Sequence, residues 1–313
     1  MTMTYRQLGN SGLTVSTVGL GCNNFGHRMP DDDVAGVVAA AIDAGITLFD
    51  TADIYGGGRS EELLGEALRG RRDDVVVATK FGMDAHGSNG PDWGVRGSHR
   101  YVRRAVEASL RRLRTDWIDL YQFHTPDPHT PIEETLDVLN DLVHEGKVRY
   151  LGSSNFASWQ VIDADWTARA AGLEPFVSAQ NRYSWLHRDP ERELVPALRH
   201  TGQSLLPYFP LANGLLTGKY RRGTAAPEGT RLAKHPERME GADFDTIEAL
   251  QAFAEERGVG LLEIAIGGLA AMPTVGSVIA GATKVEQITG NVAAGAWVPT
   301  DEDLARIGEI TGG

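Results

Sequence analysis

Four apolar runs in this chain each stop at a polar side chain: residues 46–49 at Asp50, 75–79 at Lys80, 118–123 at His124, and 148–152 at Ser153, Ser154 and Asn155. A strand buried on both faces reads as a nearly continuous apolar run, and parallel sheets are the sheets buried in this way. Ending several such strands in ionisable or amide groups collects those groups at one end of a sheet, where parallel barrels carry their chemistry. The pattern constrains the fold and the position of any active centre together.

Helical periodicity separates the runs. Strands are predicted at 18–21, 46–49, 75–79, 117–123, 148–152, 176–180, 204–208 and 275–279. Helices are predicted between them, at 33–44, 60–68, 99–113, 132–145, 159–171, 192–200, 243–257 and 263–271. Residues 285–294 supply the eighth crossover helix and 301–310 a further terminal one. Ahead of these units, 5–8 and 13–16 flank the turn-forming Gly9-Asn10-Ser11-Gly12 and read as a β-hairpin. Eight βα units that close on themselves leave no exposed strand edge. The expected fold is therefore an α/β protein, a (β/α)8 TIM barrel with an N-terminal β-hairpin and an extra C-terminal helix, forming one domain over residues 1–313. A doubly wound open sheet has the same periodicity. Two long connections follow strands, at 82–98 and 210–241, on the face where barrels do chemistry.

Composition removes several classes of function. A net charge of −12 opposes a nucleic-acid partner. Cys22 is the only cysteine, so no intramolecular disulfide forms. The N-terminal residues lack a basic segment followed by an apolar one, and no stretch is apolar over the roughly eighteen residues a membrane span needs. A cytoplasmic enzyme with no membrane partner is expected, and no metal ligand set is found, since the His144-Glu145 pair lacks a second histidine at helical spacing. The glycine fingerprint of dinucleotide folds, the Walker phosphate loop and the serine nucleophile elbow are absent too. Acid/base or hydride chemistry is left. The aspartates 31–33 are expected to cap and charge the first helix.

Within Asp50-Thr51-Ala52-Asp53-Ile54-Tyr55-Gly56, Tyr55 is a poor acid at neutrality unless a nearby cation favours its phenolate. Lys80 is the available cation, Asp50 the carboxylate that keeps a buried lysine charged, and His124 a donor able to orient a substrate oxygen. Together they suit protonation of a carbonyl oxygen while another group attacks its carbon.

These elements, in this order along successive strand ends, resemble the aldo-keto reductase superfamily over nearly the whole chain. The D-T-A-x-x-Y-G element is residues 50–56, the strand-end lysine lies in Thr79-Lys80-Phe81-Gly82, and the histidine closes Tyr121-Gln122-Phe123-His124. The resemblance implies a catalytic tetrad of Asp50, Tyr55, Lys80 and His124, and a nicotinamide cofactor lying across the barrel mouth without a Rossmann domain. In Gly152-Ser153-Ser154-Asn155-Phe156 it implies that Ser154 and Asn155, with Gln180, bind the carboxamide. Tyr208 matches the aromatic position on which the nicotinamide stacks, followed by Phe209, Pro210 and Leu211, with Phe209 where many relatives have serine. Gly214, Leu215 and Lys219 match the loop over the pyrophosphate, and Arg231 would close on it. At the adenosine end, Gly281, Thr283, Lys284, Gln287 and Asn291 match the family's contacts, with Gly281 and Gln287 at positions that are basic in some phosphate-specific members. The charge of Lys284 favours NADPH (NADP+) over NADH. Phe25, Met83, Trp93, Tyr183 and Trp185 are expected to line the mouth for a small-molecule carbonyl substrate. Potassium-channel beta subunits resemble the chain as well, and imply the alternative of a non-enzymatic nucleotide-sensing subunit. They tend to carry arginine after the serine that corresponds to Ser154.

Overall fold

The protein is described from a computed structural model that covers residues 3–230 and 232–312. A hairpin of β1 (Tyr5–Gln7) and β2 (Thr14–Ser16) precedes eight parallel strands. These are β3 (Val18–Gly21), β4 (Leu48–Asp50), β5 (Val76–Phe81), β6 (Ile118–Phe123), β7 (Val148–Ser154), β8 (Ser178–Arg182), β9 (Ser204–Tyr208) and β10 (Val278–Gly281). Neighbours pair in chain order, and β10 returns to β3 with Val278 opposite Val18. Between β9 and β10 the cylinder closes through one bridge: Leu205 N–H donates to the Thr274 carbonyl at 2.7 Å and Gly276 N–H to the Leu205 carbonyl at 2.9 Å. The predicted barrel and hairpin are both present.

The ring of helices comprises α1 (Asp31–Asp43), α2 (Arg59–Ala67), α3 (His99–Leu113), α4 (Ile132–His144), α5 (Ser158–Ala171), α6 (Leu194–Thr201), α7 (Pro236–Glu240), α8 (Phe244–Glu256), α9 (Leu261–Glu263), α10 (Val285–Gly295) and the terminal α11 (Asp301–Ile310). None of the described helices is long and apolar enough to cross a membrane. In α3, Val102, Ala105, Val106, Ser109 and Leu113 recur at helical spacing and are all buried, while the chain leaves the helix at Arg114, whose φ is 54°. Both predicted ends of this helix are met.

The apolar core has two parts. Leu48, Ala78, Leu120, Leu206 and Ile279 fill the barrel from five strands and meet Leu8, Leu13 and Val15 of the hairpin. The hairpin thus plugs the end of the barrel opposite the polar strand ends. The larger part lies between the strands and the helical ring.

Several boundaries differ from those predicted. The strands expected at 46–49, 176–180 and 275–279 are observed as Leu48–Asp50, Ser178–Arg182 and Val278–Gly281. The hydrogen-bond ladder ignores side-chain polarity, so strands run on into polar residues where an apolar pattern stops. The helix expected at 263–271 is α9 widening into a π turn at Ile264–Gly268. A side chain at Gly267 would lie 2.6 Å from the Ala294 carbonyl oxygen and 2.7 Å from that of Trp297, so the turn sits backbone to backbone on the end of α10. The 210–241 connection holds short helical turns at Ala212–Thr217 and Leu232–Lys234 as well as α7. The aspartates of α1 charge its first turn without capping it, and Asp31 instead pairs with Arg59 at 2.9 Å.

Candidate active site

Strand order brings Asp50, Lys80, His124, Ser154 and Gln180 from the ends of β4 to β8 round one mouth of the barrel, and Tyr55 joins them from the turn after β4. That turn, Tyr55–Gly58, holds three successive glycines at positive φ, which lets it double back tightly over the barrel. Lys80 is fully buried, and its ammonium donates to Asp50 Oδ2 at 2.7 Å, the Thr51 carbonyl at 2.8 Å and the Tyr55 hydroxyl at 3.3 Å. Burial alone would lower the lysine pKa, but Asp50 and Tyr55 outweigh it and hold Lys80 above the ordinary range. The other oxygen of Asp50 accepts from the amides of Gln122 at 3.1 Å and Gln180 at 2.8 Å.

The expected effect of Lys80 on Tyr55 is only partial. Burial raises the phenol pKa more than the ammonium lowers it, so Tyr55 keeps its proton at neutrality until a partner draws it away. His124 meets Tyr55 edge-on, with ring centroids 6.1 Å apart. Burial and then Lys80 push the imidazole well below its usual pKa, so it is neutral, and its Nδ1 is buried without a partner among the described residues. Asn155, at a φ of 59°, donates to the His124 carbonyl at 2.9 Å and accepts from the Tyr208 hydroxyl at 2.8 Å. Ser154 donates to the Gln180 carbonyl at 2.9 Å.

Gln122 was not foreseen as a site residue. Its signal is the period of two: Leu120 points into the barrel, so Gln122 does too, and a polar residue there needs a partner.

Around the mouth, Phe209, Ala212, Asn213 and Gly214 all have positive φ, so the chain after β9 coils tightly past Tyr208. Pro210 and Leu215 are buried, Leu211 and Gly214 half-buried, and Lys219 is exposed with its ammonium 5.2 Å from the Tyr220 ring. Arg231 lies outside the described residues. In the 210–241 connection, Arg222 is held by Asp245 and Glu248 of α8. Gly281 is exposed at the end of β10 and Lys284 just before α10, Gln287 accepts from the Thr283 N–H at 2.7 Å, and Asn291 is buried in the same helix. Lys284 makes no ion pair among the described residues.

The residues expected at the substrate mouth lie in different settings. Phe25, Tyr183 and Trp185 are buried in the core, with the Tyr183 hydroxyl donating to Glu191 at 2.7 Å and the Trp185 indole to the Ile264 carbonyl at 2.7 Å. They follow strands, but their rings turn under the helices, where the apolar area is. Trp93 is exposed, and the Arg100 and Arg104 guanidiniums of α3 stack on it at 4.0 Å and 5.4 Å. Met83 is half-buried where the 82–98 loop begins.

A model of the aldo/keto reductase family matches residues 17–311. The chain belongs to that family. It is similar to an uncharacterised oxidoreductase, YrpG, of Bacillus subtilis, with 36% identity over 97% of this chain and 94% of the relative. A probable aldo-keto reductase 1 of Glycine max is 34% identical over 98% and 90%. A probable voltage-gated potassium channel subunit beta of Arabidopsis thaliana is 35% identical over 95% and 92%. The aldo/keto reductase is accordingly an oxidoreductase with the (β/α)8 barrel of its family, whose members use nicotinamide cofactors and small-molecule substrates.

Proposed function

We propose that this aldo/keto reductase reduces an aldehyde or ketone carbonyl to an alcohol with NADPH, and that Tyr55 is the proton donor. The observation that carries the reading is the protonated Tyr55 hydroxyl 3.3 Å from an ammonium that Asp50 keeps charged. The residues at the mouth suit a nicotinamide: an aromatic ring at Tyr208, and beside it the polar side chains of Ser154, Asn155 and Gln180, whose bonds to one another's strands a carboxamide would share. When bound, the reduced nicotinamide supplies the hydride. A substrate oxygen beside Tyr55 receives the phenolic proton, and Lys80 stabilises the phenolate left behind. Neutral His124 orients that oxygen without competing as an acid. Asp50, with Gln122 and Gln180 on its second oxygen, keeps Lys80 from swinging out of reach.

The non-enzymatic alternative rests on the similarity to potassium-channel beta subunits. Asn155 counts against it, because its side chain links His124 to Tyr208 where those subunits tend to have arginine.

The test is purified protein, NADPH, and a panel of aldehydes, quinones, keto-sugars and steroid ketones, followed by the absorbance of reduced nicotinamide. Tyr55→Phe is expected to lower kcat by about 10²- to 10⁴-fold, the usual contribution of a general acid, with NADPH affinity retained. Nucleotide binding without turnover on any carbonyl would favour the sensing subunit.

A further inference from the structure

Behind the Tyr55 turn lies a second buried polar cluster that the reaction does not use. Asp53, two residues before Tyr55, is fully buried; its Oδ2 accepts from the Asn89 amide at 2.6 Å, and its Oδ1 has no partner among the described residues. Asn89 belongs to the 82–98 loop and is itself buried. Its carbonyl oxygen accepts from Arg112 at 2.9 Å, Arg112 donates to Glu61 at 2.6 Å, and Glu61 accepts from Thr79 at 2.6 Å. One chain of bonds thus runs from the neighbour of Lys80 through α2 and α3 to the loop, and back to the Tyr55 turn. On the solvent side the same two segments face each other: Ile54 and Gly57 share a cleft of about 400 Å³ with residues 84–88.

We propose that Asp53 and Asn89 are positioning residues whose hydrogen bond latches the 82–98 loop to the turn carrying Tyr55 and so sets the Tyr55 hydroxyl against Lys80. The inference rests on the reductase reading above. A buried carboxyl with one oxygen bare suits the protonated form, because an ionised carboxylate in that setting is costly. Glu61 of α2, Arg112 and Tyr101 of α3 and Tyr121 of β6 face the group. Glu61 and Arg112 pair with each other, and burial holds both tyrosines protonated. Burial first, and then the charge of Glu61, push the Asp53 carboxyl up to about 8. The latch is closed at neutrality. Above that range Asp53 ionises; the Asn89 N–H bonds the carboxylate more strongly, but a buried charge beside Glu61 is drawn toward water and takes the loop with it.

Hydrogen exchange and steady-state kinetics on the full chain, on both sides of pH 8, test the latch. The parent is expected to lose protection over residues 82–98 and to lose kcat along one titration centred near pH 8. Asp53→Asn keeps an acceptor and cannot ionise, so both losses should vanish. Asn89→Ala should lack loop protection at every pH and lose kcat on the order of ten- to a hundredfold, the scale of a small misplacement of a reacting group, with cofactor affinity unchanged. An alkaline limb that persists in Asp53→Asn belongs to Tyr55 or Lys80 and overturns the proposal. Unchanged loop protection in Asn89→Ala overturns it as well. If Asn89→Ala does not fold, the Asp53→Asn comparison opens no cavity and decides alone. Protection changes without any carbonyl turnover would keep the latch and sink the reductase reading.

Discussion

Asp50 and Asp53 lie three residues apart, both buried, and the protein treats them in opposite ways. Asp50 faces the barrel axis, where an ammonium and two amides serve its oxygens. Asp53 faces outward, where it meets one amide and stands beside another carboxylate. A buried charge survives only if paired and hydrogen-bonded; without that company a carboxyl keeps its proton. One strand end therefore carries a carboxylate bonded to the Lys80 ammonium and, on its other side, a carboxyl bonded to Asn89 of the 82–98 loop.

The largest effect that probes this contrast is on the paired side. Lys80→Met strands the Asp50 charge, and breaking a buried pair in that way is expected to cost about 3 to 5 kcal/mol of stability in chemical denaturation. A loss below about 1 kcal/mol, the value of an exposed pair, would mean that Asp50 is not held as an ion.

Asp53→Asn should act with the opposite sign. The folded pKa of Asp53 is raised to about 8 from the ordinary 3.8, so the folded protein binds the extra proton across that window and its stability falls as pH rises through it. The variant escapes this fall, and its advantage over the parent should widen by up to about 1.4 kcal/mol per pH unit within the window. Parallel stability curves for the two proteins would erase the contrast. Lys80 works in a different range: its pKa is raised, so its contribution is present below 10.5 and is lost as pH climbs through its higher folded value.

The smallest effect sharpens the comparison from outside. Both aspartates act in the fold without a ligand, whereas Lys284, exposed at the start of α10, contributes only when a ligand brings charge to it. Lys284→Ala should leave stability alone and weaken NADPH by about tenfold to a hundredfold relative to NADH, as loss of a charge-assisted bond of roughly 1.5 to 3 kcal/mol would. Equal loss for both nucleotides, measured as dissociation constants, would refute a 2′-phosphate contact.

Much of this was legible in the chain because periodicity and strand-end polarity act locally. The barrel, the α3 boundaries and the convergence of residues 50, 80 and 124 follow from runs a few residues long. What escaped depends on where side chains point after the chain turns. Tyr183 and Trp185 follow a strand as mouth residues do, but they bury, because their apolar area is better covered under the helices. Gln122 hides inside an apolar strand, and the links from Asp53 through Asn89 and Arg112 to Glu61 join residues up to 51 positions apart, with no shared motif to announce them.

The seam between β9 and β10 has a consequence for how the molecule is made. Arg6 of the hairpin donates to the carbonyls of Ala270 at 2.8 Å and Val275 at 2.7 Å, so β1 is fastened to the approach to β10. Contacts of such sequence separation form slowly, because the intervening chain must be gathered first. A nascent chain that has not yet passed residue 275 holds seven staves with β3 and β9 as open edges, and open edges are templates for pairing with other chains. Closure of this cylinder therefore waits for the chain beyond residue 275, and until then both edges stay open to pairing with other chains.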